Sequence, residues 1–322
     1  MTLFAKATPA AVRKAAAFIR GGGTVVFPTE TVYGLGADAL NAKAVARIFE
    51  IKKRPRFDPL IVHVASIRQA KTLARVSPAA EALMKRFWPG PLTLVLPKKK
   101  IVPDIVTAGL DTVALRMPNN AVALALIKAA GTPIAAPSAN SFGSLSPTRA
   151  AHARNQLKGG PDMILDAGRT RIGVESTVIA FKNGKGFILR HGGLPQEEIE
   201  RVTGRLETAL KGGKSPASPG QLIKHYSPRA ALRLTGKAPV KPAPCSDTGP
   251  EKGPCPVLRH GVKYGYLAFT TRPAAPVKIC RVLSRSGNLE EAAANLFSHL
   301  HDLDRAGVDV ILAEPVPAKG LG

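Results

Sequence analysis

Ile51-Lys52-Lys53-Arg54-Pro55-Arg56-Phe57-Asp58-Pro59-Leu60-Ile61-Val62-His63-Val64 sets four cations within five positions ahead of a short apolar run. Pro55 and Pro59 keep the basic segment out of a regular helix, because proline lacks the amide donor and crowds the residue before it. The run Leu60 to Val64 is β-branched and short, which reads as a buried strand. Fixed positive charges on a stiff loop at the mouth of a sheet suit a polyanion such as a nucleotide triphosphate. A solvated basic turn is the plainer alternative, and the stretch alone does not choose between them.

Working outward, 322 residues with 45% hydrophobic content suffice for a full core and predict two domains. Aromatic residues are scarce at 5%, while small and branched aliphatics abound, as in an α/β interior. The net charge of +24 implies an anionic partner, either a nucleotide or nucleic acid. Aromatic residues do not interleave with the basic ones, so a stacking platform for single strands is not indicated. Cys245, Cys255 and Cys280 are too few and too scattered for a disulfide framework or a zinc ribbon, and they are read as free thiols. No apolar run approaches a membrane span and no signal-peptide core is visible, so a cytoplasmic location is expected.

The elements follow from local signals. Thr8-Pro9, an apolar stripe at Val12, Ala15, Ala16 and Ile19, and the stop Gly21-Gly22-Gly23 predict a helix. The strand Thr24–Phe27 then runs into Pro28–Gly36, read as a loop holding hydroxyls, a carboxylate and two glycines at a strand end. Open α/β sheets place ligands there; a plain turn remains open. Asn41 caps a second helix that delivers the basic segment, and Ser77-Pro78 opens another that stops at Trp88-Pro89-Gly90-Pro91. His63 ends its strand as either a packed core residue or a ligand. Strands are expected at Leu92–Leu96 and Thr112–Met117, the second carrying Arg116. A buried guanidinium needs a partner, and a substrate carboxylate or a structural Asp or Glu would serve equally.

Helix Ala121–Ala130 and strand Pro133–Ala136 lead to the polar loop Pro137–Thr148, rich in hydroxyl and amide groups that could cradle phosphate or a developing oxyanion. The loop contains no acid–base partner arranged as in a Ser–His–Asp nucleophile, which counts against a hydrolase. Further strands are read at Gly173–Ile179 and Phe187–Arg190, and a helix around Gln196–Leu210 closes the first domain. Beyond a basic, glycine-rich spacer, Tyr264–Phe269, a helix capped by Asn288 and Val308–Ala313 form a βαβ pattern. The intervening Lys237–His260 is expected to be poorly ordered.

Together these stretches resemble the YrdC-domain family, and the full length resembles its two-domain members, the threonylcarbamoyl-AMP synthases of tRNA modification. The resemblance rests on Pro28–Gly36, Lys52–Pro55 with Asp58–His63, Trp88–Thr93, Arg116-Met117-Pro118, Pro137–Asn140, Ser146-Pro147-Thr148 and Glu175–Val178. It covers nearly all of residues 8–208, and the ordered set is far more specific than any one motif. It implies a twisted open mixed α/β sheet of YrdC type with a basic cavity over residues 8–208. An interdomain linker at 209–228 and a small Rossmann-like α/β domain at 229–322 would follow.

The implied activity is L-threonylcarbamoyladenylate synthesis from L-threonine, bicarbonate or CO2, and ATP, with release of pyrophosphate. The product would pass to a downstream tRNA threonylcarbamoyl transferase, with weak RNA contact conceivable for so basic a chain. By the same resemblance Lys52, Arg54, Ser138 and Asn140 form a catalytic tetrad around the carbamate and α-phosphate. Thr31, His63, Arg116, the backbone of Ala136, and Ser176 would hold threonine. Arg54, Asp58, Thr112, Ser138, Ser146, Arg190 and Tyr226 would line ATP, with Tyr226 of the linker closing over it. Magnesium is expected to arrive with ATP rather than in a protein cage.

Three departures are visible. Asp58 stands where the family often has Asn and is expected to bring negative charge near the phosphates. The linker reads Gln221-Leu222-Ile223-Lys224, less basic than the family's version. The chain stops at Gly320-Leu321-Gly322 where relatives usually continue into one more helix, so a loosely packed second domain is expected. Two rival readings are a basic RNA-binding module without catalysis and a related enzyme forming a carbamoyl-adenylate from another donor. Replacing Lys52 or Arg54 by Ala is expected to abolish turnover while leaving thermal unfolding nearly unchanged.

Overall fold

A computed structural model describes residues 1–182, 184–208, 227–235, 261–273 and 276–322. The chain divides into two compact units, Met1–Tyr226 and Ser227–Gly322.

The first unit opens with β1 (Leu3–Lys6), α1 (Pro9–Arg20), β2 (Val25–Pro28), β3 (Tyr33–Asp38), α2 (Ala42–Lys52) and β4 (Ile61–His63). It continues through α3 (Ile67–Leu73), α4 (Pro78–Phe87), β5 (Leu92–Pro97), α5 (Asp104–Thr107), β6 (Thr112–Arg116), α6 (Ala121–Ala130) and β7 (Ile134–Ala135). It ends with α7 (Ala150–Leu157), β8 (Met163–Asp166), β9 (Thr177–Lys182), β10 (Lys185–Arg190), α8 (Gln196–Thr203) and β11 (Glu207–Thr208). Its strands form one mixed sheet of 11, in the order β1-β8-β2-β3-β7-β4-β6-β5-β9-β10-β11. The second unit holds β12 (Ala231–Leu234), β13 (Tyr264–Ala268), β14 (Ile279–Val282), α9 (Leu289–Arg305) and β15 (Val310–Ala313). Its four strands are all parallel, in the order β12-β15-β13-β14.

Capping signals landed where the residues placed them. The Thr8 side chain accepts from the Ala11 amide at the start of α1, Asn41 from Lys43 and Ala44, and Ser77 from Ala80. The four α1 residues of the predicted apolar stripe are all buried. β1, α3, α5, α7, β8, β12 and β14 went unread, being short or weakly patterned. The helix read as far as Leu210 stops at Thr203, where Gly204 takes φ 75° and breaks the turn. Most of the expected linker, Tyr226, and the segment 237–260 lie outside the described residues, as do Cys245 and Cys255.

Pro28–Gly36 is not a loop. The chain turns tightly at Thr29–Val32 and returns as β3, antiparallel to β2, pairing Val25 with Gly36 and Phe27 with Gly34. The two glycines are strand residues that admit bulk from elsewhere: a Cβ on Gly36 would lie 2.6 Å from both Ile134 Cγ2 and Phe27 Cε1. Two cations of the basic segment also sit differently from expectation. Lys52 is the last helical residue of α2 and Lys53 its left-handed cap at φ 52°, so the basic segment begins inside a helix.

Burial decides where a ligand can go. β2 is buried on both faces, Val26 toward the cluster under α2 and α4, Val25 and Phe27 toward α1 and α6. Farther along the second face, Ile61, Val95, Ala114 and Val178 form a separate small cluster whose members all come from strands. No helix among the described residues contributes to it, so this half of the face is a buried apolar floor made by strand residues.

Gly36→Ala should destabilise the protein by roughly 1–3 kcal/mol through overpacking. Gly34→Ala, whose Cβ would come no nearer than 3.3 Å to any neighbour (Ala136 Cβ), should cost less. Chemical denaturation of both variants checks this, and midpoints equal to the parent's for Gly36→Ala would contradict the packing described.

Candidate active site

The site forms where this strand-built apolar floor meets the strand ends. β4 and β6 are parallel neighbours, and their register sets His63 beside Arg116 at the carboxyl ends of both strands. The β2–β3 turn brings Thr29, Glu30 and Thr31 against them. Arg116 Nη1 donates to Thr31 Oγ1 at 2.9 Å, and Nε to the Gly90 carbonyl at 3.3 Å. Its Nη2 lies 2.8 Å from Glu30 Oε1. Of the two partners open to Arg116, a structural carboxylate is therefore already present.

A second group comes from the end of α2. Arg54 donates from Nε to the Asp58 carbonyl and from Nη2 to the Pro59 carbonyl, and Nη2 is 2.8 Å from Asp58 Oδ2. Asp58 is fully buried behind this arginine, so its charge is matched there instead of facing the cavity unopposed. Burial, the largest cause, raises its pKa above the usual carboxylate value, opposed by Arg54. The Lys52 ammonium donates to the backbone carbonyls of Ser138 and Asn140 and is itself 1% exposed. Burial first, and the Arg54 charge second, hold its pKa well below that of an ordinary lysine.

The third group arrives through β7 and β9. The loop after β7 supplies Ala136, Pro137 and Ser138, tied to β3 by the Leu35 amide donating to Pro137 and by a bridge between Gly34 and Ser138. Arg190, at the end of β10, donates from Nε to the Ser176 carbonyl and from Nη2 to Ser176 Oγ, both at 3.0 Å. Ser176 Oγ is also 2.7 Å from Thr93 Oγ1. Ser146 Oγ donates to Glu175 Oε1 at 2.8 Å.

These groups surround a single small cavity. Thr31, Arg54, His63, Arg116, Ala136, Ser138 and Arg190, all predicted site residues, line it. Lys52, Asp58, Asn140, Ser146 and Ser176 are not lining residues; they stand behind the wall and tie its parts together. Thr112 shares the pleat face of Arg116 but lies four residues away, about 13 Å along the strand and beyond the Ala114 floor. Tyr226 is outside the described residues.

Sequence reasoning passed over Glu30 and Glu175. The signal was available, since three arginines converging on a buried hollow demand compensating acids. Each has one: Asp58 for Arg54, Glu30 for Arg116, and Glu175 for Arg190 at the longer distance of 3.9 Å. The cavity expected to be basic is thus lined by cations whose charge is matched one for one.

His63 completes the wall. Its ring meets Phe27 edge-on with centroids 6.0 Å apart, and Nδ1 makes no well-formed hydrogen bond. Burial, with the Arg116 charge second, depresses its pKa to about 3, so it is a neutral imidazole over the physiological range.

Residues 17–192 match the model of the Sua5, YciO and YrdC family, described as "Telomere recombination". Residues 194–322 match a second, described as "Threonylcarbamoyl-AMP synthase, C-terminal domain". The threonylcarbamoyl-AMP synthase of Pyrococcus abyssi is 48% identical over 316 residues, covering 97% of this chain and 90% of that protein. That of Bacillus subtilis is 44% identical over 317 residues, covering 97% and 89%. In structure the chain is similar to P. abyssi Sua5 complexed with L-threonine, with a TM-score of 0.86 and 44% identity, covering 100% of this chain and 93% of the other.

Two measurements test the geometry. Lys52→Ala leaves two buried carbonyls without a donor, so it should lower stability by roughly 1–3 kcal/mol in denaturant, in place of the unchanged unfolding that a surface cation would give. For His63, the unfolded chain takes up a proton near pH 6.5 and the folded chain only near 3. Between these values the unfolded state binds more protons, so stability falls as pH drops through the window, by up to about 1.4 kcal/mol per unit. Above pH 6.5 the effect vanishes. The stability difference between the parent and His63→Asn should therefore slope below pH 6.5, and a flat difference from pH 7 to 4.5 would refute the assignment.

Proposed function

The chain belongs to the threonylcarbamoyl-AMP synthase family, and from that premise we propose how its cavity joins L-threonine, bicarbonate or CO2, and ATP. It is an enzyme that transfers an adenylyl group, using ATP and threonine. Threonine would occupy the end built by Thr31, His63, Arg116, the Ala136 backbone and, through its hold on the wall, Ser176. Arg116 is fixed there by Glu30 and the Gly90 carbonyl, so its remaining donor directions are set before a carboxylate arrives. Neutral His63 can accept a hydrogen bond without adding charge.

ATP would extend from Arg54, Ser138 and Arg190 along the floor of Ile61, Val95, Ala114 and Val178 toward Thr112, with Asp58 and Ser146 acting behind the wall and Tyr226 closing from the linker. A row of apolar side chains across adjacent strands would seat the face of a base. Once the threonine amine has taken up CO2 as a carbamate, a carbamate oxygen attacks the α-phosphorus and pyrophosphate leaves. No strong protein nucleophile is required, only alignment and charge stabilisation. Alignment could supply about 7–11 kcal/mol of the barrier. Arg54, Arg190, Ser138 and the Lys52-braced Asn140 loop would supply the stabilisation of the reacting phosphate.

Among the described residues there is no group of three or more His, Cys, Asp or Glu side chains able to hold a metal ion. Magnesium would travel on the ATP phosphates and contribute charge neutralisation. The product would go to a transferase acting on tRNA in the cytoplasm, with weak RNA contact in keeping with the +24 charge. No helix among the described residues is long and apolar enough to cross a membrane.

The observation that carries this reading is that seven residues from six separate sequence stretches line one hollow. Incubation with threonine, bicarbonate and ATP should release pyrophosphate only when all three are present. Release indifferent to threonine would overturn the reading, and release with carbamoyl phosphate replacing threonine would favour a related carbamoyl-adenylate enzyme.

A further inference from the structure

Three acid–arginine pairs surround the cavity, but only one is built to open. Glu30 and Asp58 lie 2.8 Å from their arginines, with side chains 2% and 0% exposed. Glu175 lies 3.9 Å from Arg190 Nη2 with its side chain 13% exposed, and it is the one carboxylate among the described lining residues. Its oxygen accepts from Ser146 Oγ at 2.8 Å. Arg190 lines the cavity and is read above as a nucleotide contact, while Ser146 holds the carboxylate from behind the wall, so Glu175 is anchored beside a donor that a phosphate would need.

We propose that Glu175 is a resident counter-ion that occupies the place of substrate phosphate in the empty cavity and is exchanged for it when the nucleotide binds. The inference rests on the nucleotide reading given above. The surroundings allow the exchange without collapse. Arg190 is held independently by the carbonyl and hydroxyl of Ser176. The Glu175 main chain is pinned by the Gly193 amide donating to its carbonyl at 2.8 Å. Only the side chain has to turn.

The consequence falls on the leaving group. An arginine with no competing anion holds pyrophosphate tightly, and a tightly held product slows turnover. A carboxylate that must be displaced weakens the binding of every phosphate that takes its place, ATP and the leaving pyrophosphate alike. Glu175 is thus a specificity-determining group for the anion, acting on release.

The test measures binding of inorganic pyrophosphate to the full-length protein by calorimetry with divalent metal chelated. The parent is compared with Glu175→Gln, which removes the charge but keeps an acceptor for Ser146. The dissociation constant should fall at least tenfold in Glu175→Gln, with threonine binding unchanged. Glu175→Asp, which keeps the charge, should show no such gain. Damage to the fold would weaken binding, so a gain is diagnostic. Unchanged or weaker pyrophosphate binding in Glu175→Gln would overturn the proposal. If that variant fails to fold, Glu175→Ala carries the same expectation; failure of both to fold would make the carboxylate structural and equally overturn it. Threonine-dependent pyrophosphate release by the parent is followed in parallel. Its absence would sink the functional reading while leaving the anion-binding result to stand or fall separately.

Discussion

A guanidinium taken out of water must be met by an opposite charge or by acceptors in the right places, and this requirement shapes the whole site. Arg116 is 2% exposed and ends β6 inside an otherwise apolar strand. Glu30, Thr31 and the Gly90 carbonyl answer it, and they come from a turn and a proline-rich stretch far apart in the chain. The β2–β3 turn has to be tight for Glu30 to reach, and β3 has to lie close to β2 for the turn to be tight. The glycines at 34 and 36 make that approach possible by leaving room for Phe27, Ile134 and Ala136. One electrostatic demand thus propagates into backbone geometry.

The same demand explains why so cationic a chain builds a charge-matched hollow. Arg54 and Arg190 each have an acid as well, and Lys52 is consumed in bracing the Ser138–Asn140 loop. The exposed cations Lys53 and Arg56 lie on the same segment but face solvent. Net charge therefore says little about the site. What prepares it for an anion is the fixed direction of its donors, which bind phosphate without first having to reorganise.

Coverage by helices decides which part of the sheet is available. α1 and α6 pack over β2, β7 and β8, while the β4-β6-β5-β9 portion of that face keeps Ile61, Val95, Ala114 and Val178 as a floor of strand residues alone. The polar wall stands at the end of this floor, so one surface offers an apolar seat and a set of donors side by side. That juxtaposition is what an amino acid joined to an adenylate needs.

Much of this was legible in the residues. Caps at Thr8, Asn41 and Ser77, the apolar stripe of α1, the bounds of α6 and most of the cavity-lining side chains follow from local pattern or from the ordered motifs, because hydrogen-bond capping and helical or strand periodicity are short-range. The hairpin at Thr29–Val32 was misread because a glycine-containing strand looks like a loop until something packs into the space its missing side chains leave. Lys52 was misread because Pro55 lies too far along the chain to stop the helix before it, and α8 because its glycine stop at 204 was passed over. That Arg116 needs an acid was legible, but which acids serve the three arginines was not. Glu30 and Glu175 are ordinary polar residues in sequence, and only the fold, by closing three arginines into one dry hollow, determines which carboxylate meets which guanidinium and at what distance.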